Sequence, residues 1–404
     1  GDYEMKLKIL ILSFFIIQPL TGQEQIYTTK IKSEIQPYVE YIKQHKMKPV
    51  DYVMRLFEDN DLVMLCERSH REITQYDLIK QLMQDQRFIN KVGNIYTEIG
   101  AINHSKKFSD FINFDNLNDE EIKEYLGDLS LCTYANINWT GAPFFKFLKD
   151  VYNINQSLDK LDKIQVYPVN LSFSWDTLSN QNYKQSLKNL TKRDSLCAYQ
   201  IIESFDSLND NSVNQQKALV IMNYRHAFNN FTFANGQKMD NVGRFLFDYY
   251  GDGVANVMIN ALRLYPGSKR GTIESAPVQN GKWDAAFASL GNPCCGFDFT
   301  DSPFGRDSFD YYPFKNTKLK YKDVFDGFVF YQPLQKHVLK HGIPKLYDNK
   351  MEQEIRRRCK IKGYDKDKTE SIIEATKTKV SRSYAESEAF QTDNYMEIIN
   401  QWLK

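Results

Sequence analysis

The stretch Asp61–His70, DLVMLCERSH, sets the reading of the whole chain. Leu62 to Cys66 is an unbroken apolar run, too short for a helix and bounded by charge on both sides. A run of this kind is a strand buried on both faces, the pattern of a parallel sheet covered by helices. Tyr76 to Met83 follows with apolar residues at helical spacing, so the unit reads strand, turn, helix. Working outward, similar short runs recur at Val92 to Thr97 (VGNIYT), Ile164 to Val169 (IQVYPV), Lys217 to Met222 (KALVIM), Val254 to Ala261 (VANVMINA) and Gly327 to Tyr331 (GFVFY). Helical patterns separate them, which predicts an α/β fold with a mainly parallel sheet flanked by helices. Phe108 to Tyr152, rich in aromatics such as Phe144, Phe145 and Phe147, reads as part of a helical insertion spanning about residues 104–160. The charged stretch Asn349 to Lys404 reads as a C-terminal helical extension across the outside of the sheet. Residues 24–404 are expected to form a single domain of the α/β hydrolase-like kind.

With 404 residues, 42% of them hydrophobic, the chain has material for one large core or two smaller ones. Its net charge of +1 argues against nucleic acid as the main partner, since a phosphate-binding surface needs an excess of Lys and Arg. The run Arg356-Arg357-Arg358 has acidic neighbours and reads as a solvated helix face. At the N-terminus, Met5-Lys6-Leu7-Lys8 is positive, Ile9 to Ile17 is apolar, and Pro19, Thr21 and Gly22 break the run. This is the layout of a secretory signal peptide over residues 1–23, which predicts a secreted or periplasmic protein. The apolar run is too short to anchor in a bilayer, and no later segment is apolar enough to span one. Cys66, Cys132, Cys197, Cys294, Cys295 and Cys359 show no disulfide framework and no CxxC motif, so buried free thiols are expected.

In open parallel sheets the working groups gather at the carboxyl ends of the strands. The first strand runs out into Glu67 and His70, three residues apart in a turn; the second ends at Glu98; the fourth runs into Asn223-Tyr224-Arg225-His226. Three strands thus deliver carboxylates and imidazoles to one edge. A histidine can take a proton from water, a carboxylate beside it fixes its tautomer, and an Arg such as Arg225 can stabilise an oxyanion. Other features carry less. Gly251-Asp252-Gly253 reads as a turn, and His104 as a surface histidine. His337 and His341 are four apart on a possible helix but lack a third ligand. No GxSxG elbow marks a serine nucleophile. The aromatic run Phe297 to Tyr312 reads either as a pocket wall or as a surface loop packed by its own rings.

These motifs resemble the erythromycin esterase-like family, whose wider superfamily includes haem-binding lipoproteins and metal-dependent proteases. LVMLCERSH (Leu62–His70) is similar to the family's strand–Gly-Glu-x-x-His–helix opening, and NIYTEIG (Asn94–Gly100) to its second strand ending in Glu. KALVIMNYRHAF (Lys217–Phe228), NVGRFLFDYYGDGVANVMI (Asn241–Ile259) and FDGFVFYQPL (Phe325–Leu334) match later segments in the same order, over most of residues 55–335. The resemblance implies hydrolysis of a small-molecule ester or related acyl bond, with His70 as general base and Glu67, Glu98 and His226 as its partners, in a centre that needs no cofactor. Two alternatives stay open: a divalent metal held by His70, Glu98 and His226, giving a metallohydrolase or peptidase, and a non-enzymatic haem-binding or ligand-binding role. The chain departs from the family where Cys66 replaces a usual Gly, Arg71 a frequent Gly, and Asn223 a frequent His.

Overall fold

The structure is a computed structural model. It describes residues 31–135, 137, 141–188, 190–211, 215–266, 273–312, 314, 318–340, 342–346, 348–378, 381–383 and 392–404. The candidate signal segment and His341 lie outside the described residues.

Each of the six apolar runs forms a strand of one sheet: β1 (Leu62–Glu67), β2 (Asn94–Ala101), β3 (Gln165–Asn170), β4 (Ala218–Asn223), β5 (Val254–Ile259) and, after three further short strands, β9 (Gly327–Phe330). The intervening strands are β6 (Leu262–Pro266) and β7 (Ile273–Pro277), which pair as a separate antiparallel hairpin, and β8 (Cys295–Asp298). The order is β3-β2-β4-β1-β5-β9-β8, with every pair parallel except β8 against β9. A second small antiparallel pair joins β10 (Val338–Lys340) to β11 (Ser381–Ser383).

Alternation along β1 explains why its run is continuous. Leu62, Met64 and Cys66 enter one core, with the helices Gln36–Gln44, Arg193–Asn211, Val242–Tyr250 and Lys282–Ala288. Val63 and Leu65 enter the other, beneath Pro49–Asp59, Thr74–Met83, Ser105–Asn113, Asp119–Ser130 and Gly141–Asn155. The last three of these helices make up the crossover from β2 to β3.

The structure departs from the sequence reading in three places. The run Phe297–Tyr312 packs its rings on one another, but inward rather than at the surface. It starts in β8, and Phe297, Phe299, Phe304, Phe309 and Tyr311 are all buried in the first core, where burial of ring area outweighs local turn propensity. His337 sits on no helix. It caps a short turn before β10, and its Nε2 lies 2.9 Å from the carbonyls of Tyr331 and Gln332. The C-terminal stretch divides. The helix Asn349–Ile361 joins Tyr134, Phe173 and Trp175 in a separate cluster beyond the ends of β2 and β3, and Arg358 donates to the Leu131 carbonyl at 2.7 Å. The helix Thr392–Leu403 instead packs Tyr395 and Ile399 against Leu262, Ala285 and Leu334.

Candidate active site

Parallel strands place all their carboxyl ends on one edge, and register sets what meets there. Glu67 lies level with Asn223 of the neighbouring β4. Glu98 follows Thr97, which lies level with Ile221 on the other side of β4. Just beyond Glu98 the β2–β3 register shifts between Thr97 and Ala101, and Gly100 has φ +105°. A Cβ there would stand 2.8 Å from both Phe108 and Pro168, so this bulge requires glycine.

Glu67, His70, Glu98 and His226 come together at this edge. His70 Nδ1 is 2.5 Å from Glu67 Oε2, and its Nε2 is 3.3 Å from Glu98 Oε1. Tyr76 donates to the other Glu67 oxygen at 2.7 Å. On the far side of Glu98, His226 Nε2 lies 3.7 Å from Oε2. The Nδ1 of His226 is 2.5 Å from Asp194 Oδ2, a residue of the helix Arg193–Asn211. Glu98 also accepts from the Asn223 backbone N–H and from the Arg193 guanidinium, each at 3.0 Å.

Both Nε2 atoms approach Glu98, but that of His226 has guanidinium donors nearer to it than the carboxylate. His70 faces the carboxylate of Glu98, which can only accept. Arg225 Nε, at 3.3 Å from His226 Nε2, can only donate, and Arg193 Nη1 is also 3.3 Å from that atom. His226 Nε2 is therefore the acceptor, and its ring proton is assigned to Nδ1, facing Asp194. For His70, burial opposes the charged form, but the Glu67 and Glu98 carboxylates outweigh it and raise the pKa. For Glu98, burial alone would raise the pKa, yet His226, His70 and Arg193 together hold it at about 2. Glu98 is thus a standing anion rather than a proton donor, and the mobile protons belong to the histidines.

These groups open onto a crevice of about 510 Å³, lined among others by His70, Arg71, Arg193, Arg225, His226 and Lys362. Arg225 is exposed at its rim. His104 is half-buried and not part of the crevice lining. Asn223 closes the β1–β4 edge by donating from its side chain to the Arg68 carbonyl at 3.0 Å. Cys66 points into the first core, where burial pushes its thiol well up, so it is no nucleophile. None of the six cysteines is in a disulfide, and only Cys294 is exposed.

Four residues of this network have no counterpart in the sequence reading: Arg193, Asp194, Asn170 and Tyr76. Asn170 ends β3 and accepts from Arg193 Nε at 3.0 Å, so the strand-end rule applied to the third strand would have found it. Arg193 and Asp194 open a helix and carry no local signal. Glu67, His70 and Glu98 also each offer a ligand atom, all within 4.8 Å of one another, a set whose chemistry suits a divalent ion. To act as a ligand, His70 would have to turn a deprotonated nitrogen toward the ion and give up a carboxylate contact.

No protein-family model matches the chain, and no curated protein matches it. Among solved structures it is similar to a succinoglycan biosynthesis protein, with 10% identity, a TM-score of 0.47, and coverage of 74% of this chain and 97% of that one. It is similar to the erythromycin esterase EreC in its open conformation, with 10% identity, a TM-score of 0.45, and coverage of 74% and 96%. It is also similar to the haem-binding ChaN of Campylobacter jejuni, with 13% identity, a TM-score of 0.31, and coverage of 51% and 84%. An erythromycin esterase and a haem-binding protein are thus among the structures it resembles. Among the described residues, no helix is long and apolar enough to cross a membrane.

Proposed function

We propose that this crevice is the active centre of a hydrolase that cleaves a small-molecule ester or related acyl bond with water. The supporting observation is that two carboxylate-fixed imidazoles converge on Glu98 and only that of His226 also meets guanidinium donors at Nε2. His226, with an acceptor nitrogen, takes a proton from water as the water oxygen bonds to the acyl carbon. Arg193 faces the negative charge that develops on the carbonyl oxygen. His70, which holds its proton between two carboxylates, donates it to the leaving oxygen as the acyl C–O bond breaks. The products are an acid and an alcohol, and one proton passing from His226 to His70 through solvent resets the pair. Glu67 and Asp194 hold the two rings in orientation, and Glu98 offsets the positive charge that passes between them.

This division differs from the expectation that His70 is the base, because a base must be unprotonated and the surroundings of His70 favour its charged form. The test is a screen of neutral and charged esters with purified protein. Activity is expected in the wild type and lost in both His70→Ala and His226→Ala. Full rate in either variant would overturn the reading.

A second reading rests on the Glu67–His70–Glu98 donor set. A divalent ion there would supply Lewis-acid polarisation of a carbonyl or activation of water. Metal content of the purified protein, with activity before and after chelation, separates the two. The Met5–Gln23 segment supports an exported enzyme, secreted or periplasmic, which N-terminal sequencing of the mature protein would check.

A further inference from the structure

The charges around the crevice are sorted by depth. Arg71, Arg193, Arg225 and Lys362 line it, and no Asp or Glu does among the described residues. The carboxylates lie beneath, each engaged: Glu67 with His70 and Tyr76, Glu98 with Arg193, Asp194 with His226. Arg193 is matched to acids, pairing with buried Glu98 at 3.0 Å and with part-buried Asp194 at 3.4 Å.

Arg225 and Lys362 are held differently. Among the described residues, neither has a carboxylate within ion-pair distance. Arg225 uses only Nε, toward His226, and its terminal nitrogens make no hydrogen bond to a described residue. Lys362 caps the helix Asn349–Ile361 and is positioned by the Ala135 carbonyl at 3.2 Å. Its ammonium also lies 5.7 Å from the Tyr183 ring centroid and 5.4 Å from that of Tyr364. A carbonyl and two ring faces orient the ammonium without neutralising it. The result is a pair of cations, with no ion-pair partner among the described residues, on the wall of the same crevice that His70 and His226 face.

We propose that the substrate carries an anionic group, a carboxylate or a phosphate, and that Arg225 and Lys362 receive it while the scissile acyl group lies toward His226. This rests on the hydrolase reading for the second half of its statement, and the anion site is testable without it. The guanidinium suits bidentate contact with either kind of oxyanion and the ammonium adds a point charge. The chain's near-zero net charge leaves the attraction local to the crevice rather than spread over the surface.

The experiment has two arms on the full chain. Calorimetry measures binding of succinate and of inorganic phosphate, at low and high salt, to the wild type, Arg225→Gln and Lys362→Gln. Kinetics compares p-nitrophenyl acetate with the mono-p-nitrophenyl ester of succinate, read as the ratio of their kcat/KM values, which loss of folded protein cannot change. The proposal expects saturable binding of at least one anion, weakened by salt, with the stronger of the two naming the group recognised. It expects the ratio to favour the charged ester and to fall about five-fold in each variant. Anion binding that the variants weaken, with no ester cleaved, would support the anion site and count against the hydrolase. Cleavage of the neutral ester at equal or greater efficiency, with a ratio unmoved by either substitution, would overturn the proposal, as would absence of binding by both anions.

Discussion

The two histidine–carboxylate pairs flanking Glu98 match at Nδ1 and differ at Nε2. Both Nδ1 atoms sit 2.5 Å from a carboxylate oxygen. Beyond that, both reach toward buried Glu98, His70 at 3.3 Å and His226 at 3.7 Å, but only His226 also meets guanidinium groups, at 3.3 Å. One residue type thus acquires two proton-transfer tendencies from its neighbours alone, the usual way a site separates an acid from a base at one pH. The pairs also differ in how they are built. Glu67 and His70 are three residues apart in a single turn, whereas Asp194 and His226 are joined by folding across 32 positions.

Removing either ring should give the largest effect and break the comparison most openly. His70→Ala and His226→Ala should each lower kcat/KM by roughly 10²–10⁴-fold. The residual pH profile of the His70 variant should lack the limb that falls with pH, because the ring whose charged form its carboxylates favour is gone. Identical profiles in the two variants would show that the two rings share one role. Next in size, Arg193→Gln should cost about a hundredfold in kcat, read from initial rates at saturating substrate, because it removes the fixed donor facing both Glu98 and the crevice.

Stability against pH sharpens the comparison without a substrate. The pKa of Glu98 is lowered from 4.5 to about 2, so its stabilisation is complete above pH 4.5 and lost as pH falls toward about 2. The pKa of His70 is raised above 6.5, so its contribution is present below pH 6.5 and lost as pH rises through the folded value. Glu98→Gln should therefore flatten both dependences in denaturant titrations, because it removes the acid-side group itself and one of the carboxylates that raise His70. Smallest in activity is Tyr76→Phe, which should cost roughly 1–3 kcal/mol in unfolding free energy through the bond lost to buried Glu67, with kcat/KM changed only a few-fold.

What was legible in the sequence follows the same local-against-distant line. All six parallel strands stood out because burial on both faces writes a continuous apolar run into each. The β8 strand did not, since four residues, CGFD, inside an aromatic stretch carry no period of their own. Glu67, His70, Glu98 and His226 were legible because the strand-end rule needs only the end of each run. Arg193 and Asp194 were not, because their meaning comes from contacts 95 and 32 positions away in the chain. The differing surroundings of the two Nε2 atoms were likewise invisible, being set by which side of Glu98 each ring reaches.

The central claim is that the two imidazoles hold their protons differently, and nitrogen-15 NMR of imidazole-labelled protein near neutral pH reads this directly. The expected spectrum shows His70 protonated at both ring nitrogens and the neutral ring of His226 carrying its proton at Nδ1. A spectrum with His70 bare at Nε2, and with the neutral ring of His226 protonated at Nε2, would contradict the account.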